Sequence, residues 1–198
     1  VTKFEQIENF TLRGGPVQGL FARAGLRDVV KNAAKKRSEL EALPSDHYDQ
    51  IEQKRKLHAE AETAIGMVRA IANLLISLEL RAEDRTYEAD RGAEGERIRA
   101  LVEEHNRGFI ERLASQRLGR RRPFHWAIEF PEVMNRGGFH CCVGNPPFKG
   151  GAAMATLFGE DWRNFVVRHI GRGVRGARGQ YDLSAFFLLR CAELLQVG

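Results

Sequence analysis

The sequence predicts an α/β fold, in which a helical N-terminal region (residues 1–122) precedes part of a sheet (residues 123–198). Three observations predict it. Apolar residues recur at close to a 3.6-residue period from Ser45 onward. Apolar and polar residues alternate over Pro123–Val133, as they do in strands. The apolar stretch Asp182–Leu195 has the length and composition of a helix that packs on a sheet.

The first region is predicted to contain several helices. A short helix is expected over Asp28–Leu43, and Pro44-Ser45-Asp46 supplies a start signal for a second, longer helix. The polar segment Arg81–Gly95 predicts a connection or a frayed helix. Apolar positions of the long helix are Ile51, Leu57, Ala61, Ile65, Val68, Ala72, Leu75 and Leu78, and a later periodic set is Ile98, Leu101, Val102, Phe109 and Leu113.

Composition limits the possible classes of protein. The 198 residues are 43% hydrophobic and 29% charged, as in ordinary globular proteins, and the formal net charge of +5 favours an anionic partner. No apolar run looks long enough to span a membrane, and the first residues lack the layout of a signal peptide. The sequence therefore predicts a cytoplasmic protein with no membrane partner.

The three cysteines do not form a recognisable framework. Cys141, Cys142 and Cys191 are odd in number and show no CxxC spacing. On a strand His140 and Cys142 would point to one side and Cys141 to the other, so the three could not converge on a metal ion. Buried, unligated cysteines and no metal site are therefore predicted.

The second region begins after Arg122. "PFHWAIEFPEV" predicts a strand that stops at Pro131, Gly137-Gly138 predicts a turn, and Phe139–Val143 predicts a second short strand. Asp182 is a natural N-cap for the last helix. Such alternation of strands and helices indicates a sheet covered by helices on its faces.

Asn145-Pro146-Pro147-Phe148 follows the second predicted strand, where α/β sheets bind ligands. The two prolines fix φ and favour extended geometry in the residues before them, so Asn145 and the carbonyl of Pro146 are held rigidly. Neither proline has an N–H group, and the segment therefore presents acceptors. Two fixed acceptors suit a ligand amine with two N–H bonds, and Phe148 offers a face on which a flat ring can stack.

This segment and its flanks resemble motifs IV and V of N6-adenine-specific DNA methyltransferases. The resemblance rests on "FHWAIEFPEV", "VGNPPFKGG" and "EDWRNFVVRHIGRGVRGARGQYDLSAFFLLRCAELL", and it covers Pro123–Gly198 closely. The relatives are the large enzymes of restriction–modification and phage-defence systems. The resemblance implies a Rossmann-like sheet, S-adenosylmethionine as methyl donor, and DNA as partner, with other restriction–modification or defence subunits as further candidates.

The resemblance also implies residue roles. Asn145 and the Pro146 carbonyl would accept hydrogen bonds from the amino group of a flipped-out adenine, with Pro147 completing the rigid catalytic segment and Phe148 stacking on the base. Asn145 and Asp182 are the candidates for cofactor binding, although capping of the last helix is the alternative role of Asp182. Lys149 and the glycine-rich loop with Arg172, Arg175 and Arg178 are candidates for binding the DNA substrate.

Two other basic groups have less defined roles. Arg117, Arg120, Arg121 and Arg122 lie together just before the first predicted strand. Lys54, Arg55, Lys56 and Arg69 are scattered along the long helix; they fit either a solvated spacer, which is favoured, or a helical arm that contacts DNA phosphates.

One element of the resembled family is not found. No glycine-rich turn after an apolar strand, the motif I that holds the cofactor's methionine moiety, can be located. The chain is therefore expected to be a fragment of a larger methyltransferase. The alternative is a non-catalytic DNA-binding or interaction fragment, or a gene remnant that lacks the cofactor site.

Overall fold

A computed structural model describes residues 26–44, 46–81, 87–104, 106–171 and 181–196. These residues form nine α-helices and no β-strand. The helices are α1 (Leu26–Ala42), α2 (Tyr48–Arg81), α3 (Tyr87–Glu104), α4 (Arg107–Leu118), α5 (Trp126–Glu129), α6 (Pro131–Asn135), α7 (Gly151–Phe158), α8 (Glu160–His169) and α9 (Leu183–Leu194).

The predicted α/β fold with a Rossmann-like sheet is therefore wrong for the described part of the chain. "PFHWAIEFPEV" contributes the short helices α5 and α6 rather than a strand. Pro131 occupies the first turn of α6, where a missing N–H costs nothing. Trp126 and Phe130 lie one turn apart, and their rings stack with centroids 5.9 Å apart. The spacing of these aromatic residues is therefore compatible with a helical turn as well as with a strand.

The second predicted strand, Phe139–Val143, forms a single β-bridge. Phe139 pairs in parallel with Leu195: its N–H donates to the carbonyl of Leu194 at 2.9 Å, and its carbonyl accepts from the N–H of Gln196 at 2.9 Å. A strand needs a neighbour along its length. The described residues supply one only at this position, so residues 140–150 continue without regular structure.

Most helices of the first region match their predictions. The expected helices over Asp28–Leu43 and after Pro44-Ser45-Asp46 are confirmed as α1 and α2. Of the two alternatives for Arg81–Gly95, a connection or a frayed helix, the helical one holds from Tyr87, where α3 begins. The periodic set from Ile98 to Leu113 belongs to two helices, since Asn106 caps α4 by accepting the N–H of Phe109 at 3.1 Å.

Helix α2 forms the centre of the core. It packs against α1, α3, α4 and α8, and its side chains at Ile65, Ile71 and Leu74 are fully buried. Contrary to expectation, its residues Tyr48–Leu80 are long and apolar enough to cross a membrane by length and composition. Because 67% of that apolar window is buried inside the protein, the composition is explained by a core position.

An ion-pair network joins α2 to α5. Arg69 binds both carboxylate oxygens of Glu129, from Nε at 2.8 Å and from Nη2 at 3.1 Å, and it also binds Glu62 at 3.0 Å. Arg37 of α1 completes the network through Glu62, at 2.7 Å, and through the carbonyl of Glu129. Burial opposes the charge on Arg69, but hydrogen bonds with Glu129 and Glu62 outweigh it and raise the pKa of Arg69.

His125 lies beside this network in a partly buried position. Burial, assisted by the positive charge of Arg69, lowers the pKa of His125 to about 4. The ring is therefore neutral at pH 7, and its Nε2–H donates to Asn73 Oδ1 at 2.8 Å. This hydrogen bond is a second link between α2 and the segment that leads into α5.

The Arg69–Glu129 pair predicts a measurable stability effect. Glu129→Gln removes one charge of a two-point pair whose side chains are 29% and 23% exposed, and leaves Arg69 partly uncompensated. We expect the free energy of unfolding in urea to fall by about 1–3 kcal/mol. Glu52→Gln is the control, because Glu52 pairs with Arg55 at 3.7 Å in an exposed position and should cost under about 0.5 kcal/mol. Equal effects of the two substitutions would contradict the assignment.

The pKa of His125 predicts how stability depends on pH. The folded pKa of about 4 lies below the ordinary value of 6.5, so the unfolded chain binds a proton more readily between these values. This stabilising contribution is complete above pH 6.5 and is lost as the pH falls through 4, at a total cost of about 2–3 kcal/mol. Urea unfolding of the wild type and of His125→Gln, compared from pH 7.5 down to about 4, checks this. The difference between them should shrink as the pH falls, whereas parallel curves would refute it.

Candidate functional site

The Asn-Pro-Pro-Phe segment lies on the surface of the protein. Asn145, Pro147 and Phe148 are exposed, and Pro146 is partly buried. The exposed fraction of Phe148 is 71%, so its ring is open to a ligand. In the described part of the chain the side chain of Asn145 makes no hydrogen bond, so its carboxamide oxygen is open to a ligand.

The segment is attached at both ends. Before it, the Gly137-Gly138 turn is confirmed: both glycines have positive φ, and a Cβ on Gly138 would lie 2.3 Å from the carbonyl oxygen of Leu194. This close approach forms the bridge at Phe139. After the segment, the carbonyl of Lys149 accepts the N–H of Leu183 at 2.8 Å.

The chain between these two attachments runs antiparallel to α9 over the full length of the helix. Phe139 lies beside the C-terminal end of α9, and Lys149 lies at its N-terminal end. Gly144 faces Phe187 halfway along, with the ring 4.0 Å from the position that a Cβ would occupy. Besides burial, Cys142 contributes to the raised pKa of the Cys191 thiol, so the two side chains lie near each other between these points. Helix α9 is therefore the support on which the segment lies.

The cysteines differ from the prediction. Cys141 and Cys142 are exposed and Cys191 is partly buried, because residues 140–150 are not covered by a second layer. Burial, followed by the hydrogen bond and charge of Cys142, raises the pKa of the Cys191 thiol. The prediction of buried cysteines is wrong for Cys141 and Cys142.

Asp182 caps α9, as the sequence predicted. Its Oδ1 accepts the N–H of Ser184 at 2.9 Å. The N–H of Ser184 is the main cause of the lowered pKa of Asp182, and the N–H of Lys149 contributes in the same direction. The structure therefore brings Lys149 and Asp182 together. The role of Asp182 toward a cofactor stays a prediction.

The described residues do not form a complete pocket for S-adenosylmethionine. No strand followed by a glycine-rich turn occurs within them, and the carboxylate of Asp182 is engaged in capping a helix. Asn145 remains the one candidate with an open polar group. A donor set that could hold both the methionine and the adenosine parts of the cofactor is absent from this part of the chain.

Besides Lys149, the basic residues that stand out in the sequence form three groups. Arg172, Arg175 and Arg178 lie outside the described residues. On α2, Arg69 is engaged by Glu129 and Glu62, and Arg55 pairs with Glu52, which favours the solvated-spacer interpretation. Of the group before α5, Arg121 pairs with Asp161 at 2.8 Å.

A cavity of about 540 Å³ lies between α2, the segment before α5, and α7 and α8. The sequence did not predict it. Its aromatic residues are Phe124, Trp126, Phe158, Trp162 and Phe165. These residues come from two stretches that were assigned to a strand and to the segment before motif V, so the available signal was the density of aromatic residues in both. None of Asn145–Phe148 lines this cavity.

Comparison with known proteins gives the family. The model of the Eco57I restriction-modification methylase matches residues 32–198, which includes the helical region from α1 onward as well as the Asn-Pro-Pro-Phe segment. Searches of curated proteins and of solved structures gave no significant match. The match covers well over half of the chain. The chain therefore belongs to the Eco57I restriction-modification methylase family, the DNA methyltransferases of restriction–modification systems.

Proposed function

We propose that this protein takes part in transferring a methyl group from S-adenosylmethionine to N6 of an adenine flipped out of DNA. The observation that carries the proposal is the exposed, two-ended attachment of Asn145-Pro146-Pro147-Phe148 along α9. The segment presents an open carboxamide and a backbone carbonyl in a stretch where two successive residues have no N–H group. The restriction–modification family supplies the class of reaction.

The chemistry assigned to this segment is stabilisation of charge. The amino nitrogen of adenine is a poor nucleophile because its lone pair is delocalised into the ring. Hydrogen bonds to Asn145 Oδ1 and to the Pro146 carbonyl favour a more tetrahedral nitrogen and stabilise the positive charge that develops on it. The acceptors remove no proton before attack, so no residue is needed as a general base for that step.

Phe148 is assigned to stacking on the flipped base. An exposed ring at the end of a rigid segment loses little conformational freedom when a base covers it, and such stacking contributes about 1–3 kcal/mol. Lys149, Arg172, Arg175 and Arg178 are assigned to phosphate contacts. Residues 123–198 would form the catalytic part and residues 1–122 the helical part that supports it. We place the protein in the cytoplasm, with DNA and restriction–modification or defence subunits as partners.

A second function has support from one observation. The described residues contain no complete pocket for S-adenosylmethionine, which fits a non-catalytic DNA-binding protein. Calorimetry with S-adenosylmethionine, with and without DNA, separates the two functions. The methyltransferase must bind the cofactor, whereas the DNA-binding alternative shows salt-sensitive DNA binding and no cofactor binding.

Asn145→Ala tests the assignment directly. The full gene product is incubated with S-adenosylmethionine and unmethylated DNA of diverse sequence, and the nucleosides are separated by mass spectrometry. We expect the substitution to lower the rate of N6-methyladenine formation by about 10²-fold or more, since one transition-state hydrogen bond is lost. Phe148→Ala should lower it by about tenfold through lost stacking.

Asn135→Ala is the matched control, because Asn135 is an exposed asparagine at the end of α6, outside the segment. It should leave the rate within about twofold of the wild type. Product that is N4-methylcytosine would refute the adenine assignment. A near-normal rate for Asn145→Ala would refute the role of the segment itself.

The position of the segment on α9 has its own test. Burial and the proximity of Cys142 raise the pKa of the Cys191 thiol, whereas Cys141 has no such effect, and both Cys141 and Cys142 are exposed. Mild oxidation with diamide should therefore join Cys142 to Cys191, as shown by peptide mapping under non-reducing conditions. Cys141→Ser should keep this crosslink and Cys142→Ser should abolish it. A dominant Cys141–Cys191 crosslink would show that the segment lies in another register.

A further inference from the structure

The cavity between α2, α5, α7 and α8 has the size and composition of a ligand site. Its volume of about 540 Å³ falls within the range of pockets for small molecules and cofactors. Two separate aromatic groups line it. Phe124 and Trp126 meet edge to face at 4.9 Å, and Phe158 and Trp162 are tilted against each other at 4.7 Å.

The aromatic lining is accessible to solvent. Phe124 is 56% exposed and Phe158 is 41% exposed, although both lie beside an apolar cavity. Large apolar rings kept in water lose the stabilisation that burial would give, about 25 cal/mol per Å². Rings from two different elements around one opening are suited to covering both faces or an edge of a flat guest.

The charge of the lining is of one sign. Among the described residues, the lining contains Arg120, Arg121, Arg122 and Arg190 and no carboxylate. Arg121 and Arg190 are neutralised by Asp161, at 2.8 Å, and by Glu193, at 2.7 Å. Arg120 and Arg122 have no carboxylate partner within the described residues, and Arg122 is fixed by hydrogen bonds to the carbonyls of Gly119 and Arg121.

We propose that this cavity binds a nucleotide, with its base between the aromatic groups and its phosphate on Arg120 and Arg122. Stacking on aromatic rings and charge-assisted hydrogen bonds from guanidinium groups are the two interactions that such a ligand requires. The site is distinct from the Asn-Pro-Pro-Phe segment, none of whose residues lines the cavity. The inference does not depend on the proposed methyl transfer.

The protein carries its own reporter for this site. It has two tryptophans, Trp126 and Trp162, and both line the cavity. Adenosine monophosphate is titrated into the full gene product while tryptophan fluorescence is followed. We expect the nucleotide to quench the fluorescence in a saturable way. Adenosine, which has no phosphate, should bind at least about fivefold more weakly.

Charge reversal then locates the phosphate. Arg120→Glu should weaken binding of the nucleotide by about tenfold or more. The matched control is Arg112→Glu on α4, because Arg112 is likewise exposed but lies outside the cavity, and it should change the affinity by less than about twofold. Phe158→Ala should weaken binding without a change of charge, which guards against a folding defect in Arg120→Glu. Circular dichroism checks the fold of each variant.

The remaining measurements distinguish a nucleotide within a nucleic acid from a free nucleotide. They also test the competing interpretations. A 5′-phosphorylated single strand that binds more tightly than the monophosphate identifies a nucleotide within a nucleic acid. Equal or weaker binding of the strand identifies the free nucleotide. Asn135 is exposed and lies outside both sites, so Asn135→Ala should leave both affinities unchanged. Quenching that does not saturate, equal affinities for wild type and Arg120→Glu, or displacement by S-adenosylmethionine would overturn the proposal.

Discussion

The two-point pair between Arg69 and Glu129 is the interaction on which the rest of the architecture depends. Arg69 belongs to the central helix of the core, whereas Glu129 lies on a four-residue helix that could not persist alone. The pair, together with the hydrogen bond from His125 to Asn73, fixes α5 against α2. Since α6 and the Gly137-Gly138 turn follow directly, this attachment also sets where Phe139 meets Leu195 and hence where the Asn-Pro-Pro-Phe segment begins. Supporting contacts of the site therefore begin in the helical region, at Arg69, which lies 60 residues before its partner Glu129 in sequence.

The segment itself shows why prolines suit an exposed, extended stretch. Outside a sheet, each backbone N–H must find water or another partner, and Pro146 and Pro147 have none to satisfy. The same two residues restrict the backbone, so the carbonyl of Pro146 and the Cα–Cβ bond of Asn145 keep their directions without cross-strand hydrogen bonds. Rigidity comes from the covalent ring and from attachments at Phe139 and Lys149. A preset pair of acceptors can therefore exist here on a helix rather than at the edge of a sheet.

Sequence reasoning succeeded where one local interaction decides the structure. The cap at Asp182, the turn at Gly137-Gly138 and helix α1 follow from short-range rules. It failed at "PFHWAIEFPEV", because apolar residues at Trp126 and Phe130 fit a helical turn and a strand equally well, and the alternation of apolar and polar residues favoured the strand. It missed the cavity altogether, because the lining combines residues from Val68 to Arg190 and no local pattern brings them together. The family, in contrast, was within reach, since it rests on a contiguous motif and its flanks.

The net charge of +5 favours an anionic partner but does not indicate where it binds. The distribution of the charges bears on that question. Along α1 and α2, Lys36, Arg37 and Arg55 each pair with a glutamate, so much of the positive charge there is already compensated. Such pairs would have to be broken before those side chains could hold phosphate, and breaking them offsets part of what the new contacts contribute. Arg120 and Arg122 have no such cost, because no carboxylate of the described chain competes for them. An anion is therefore expected at the opening of the aromatic cavity in preference to the surface of the long helix.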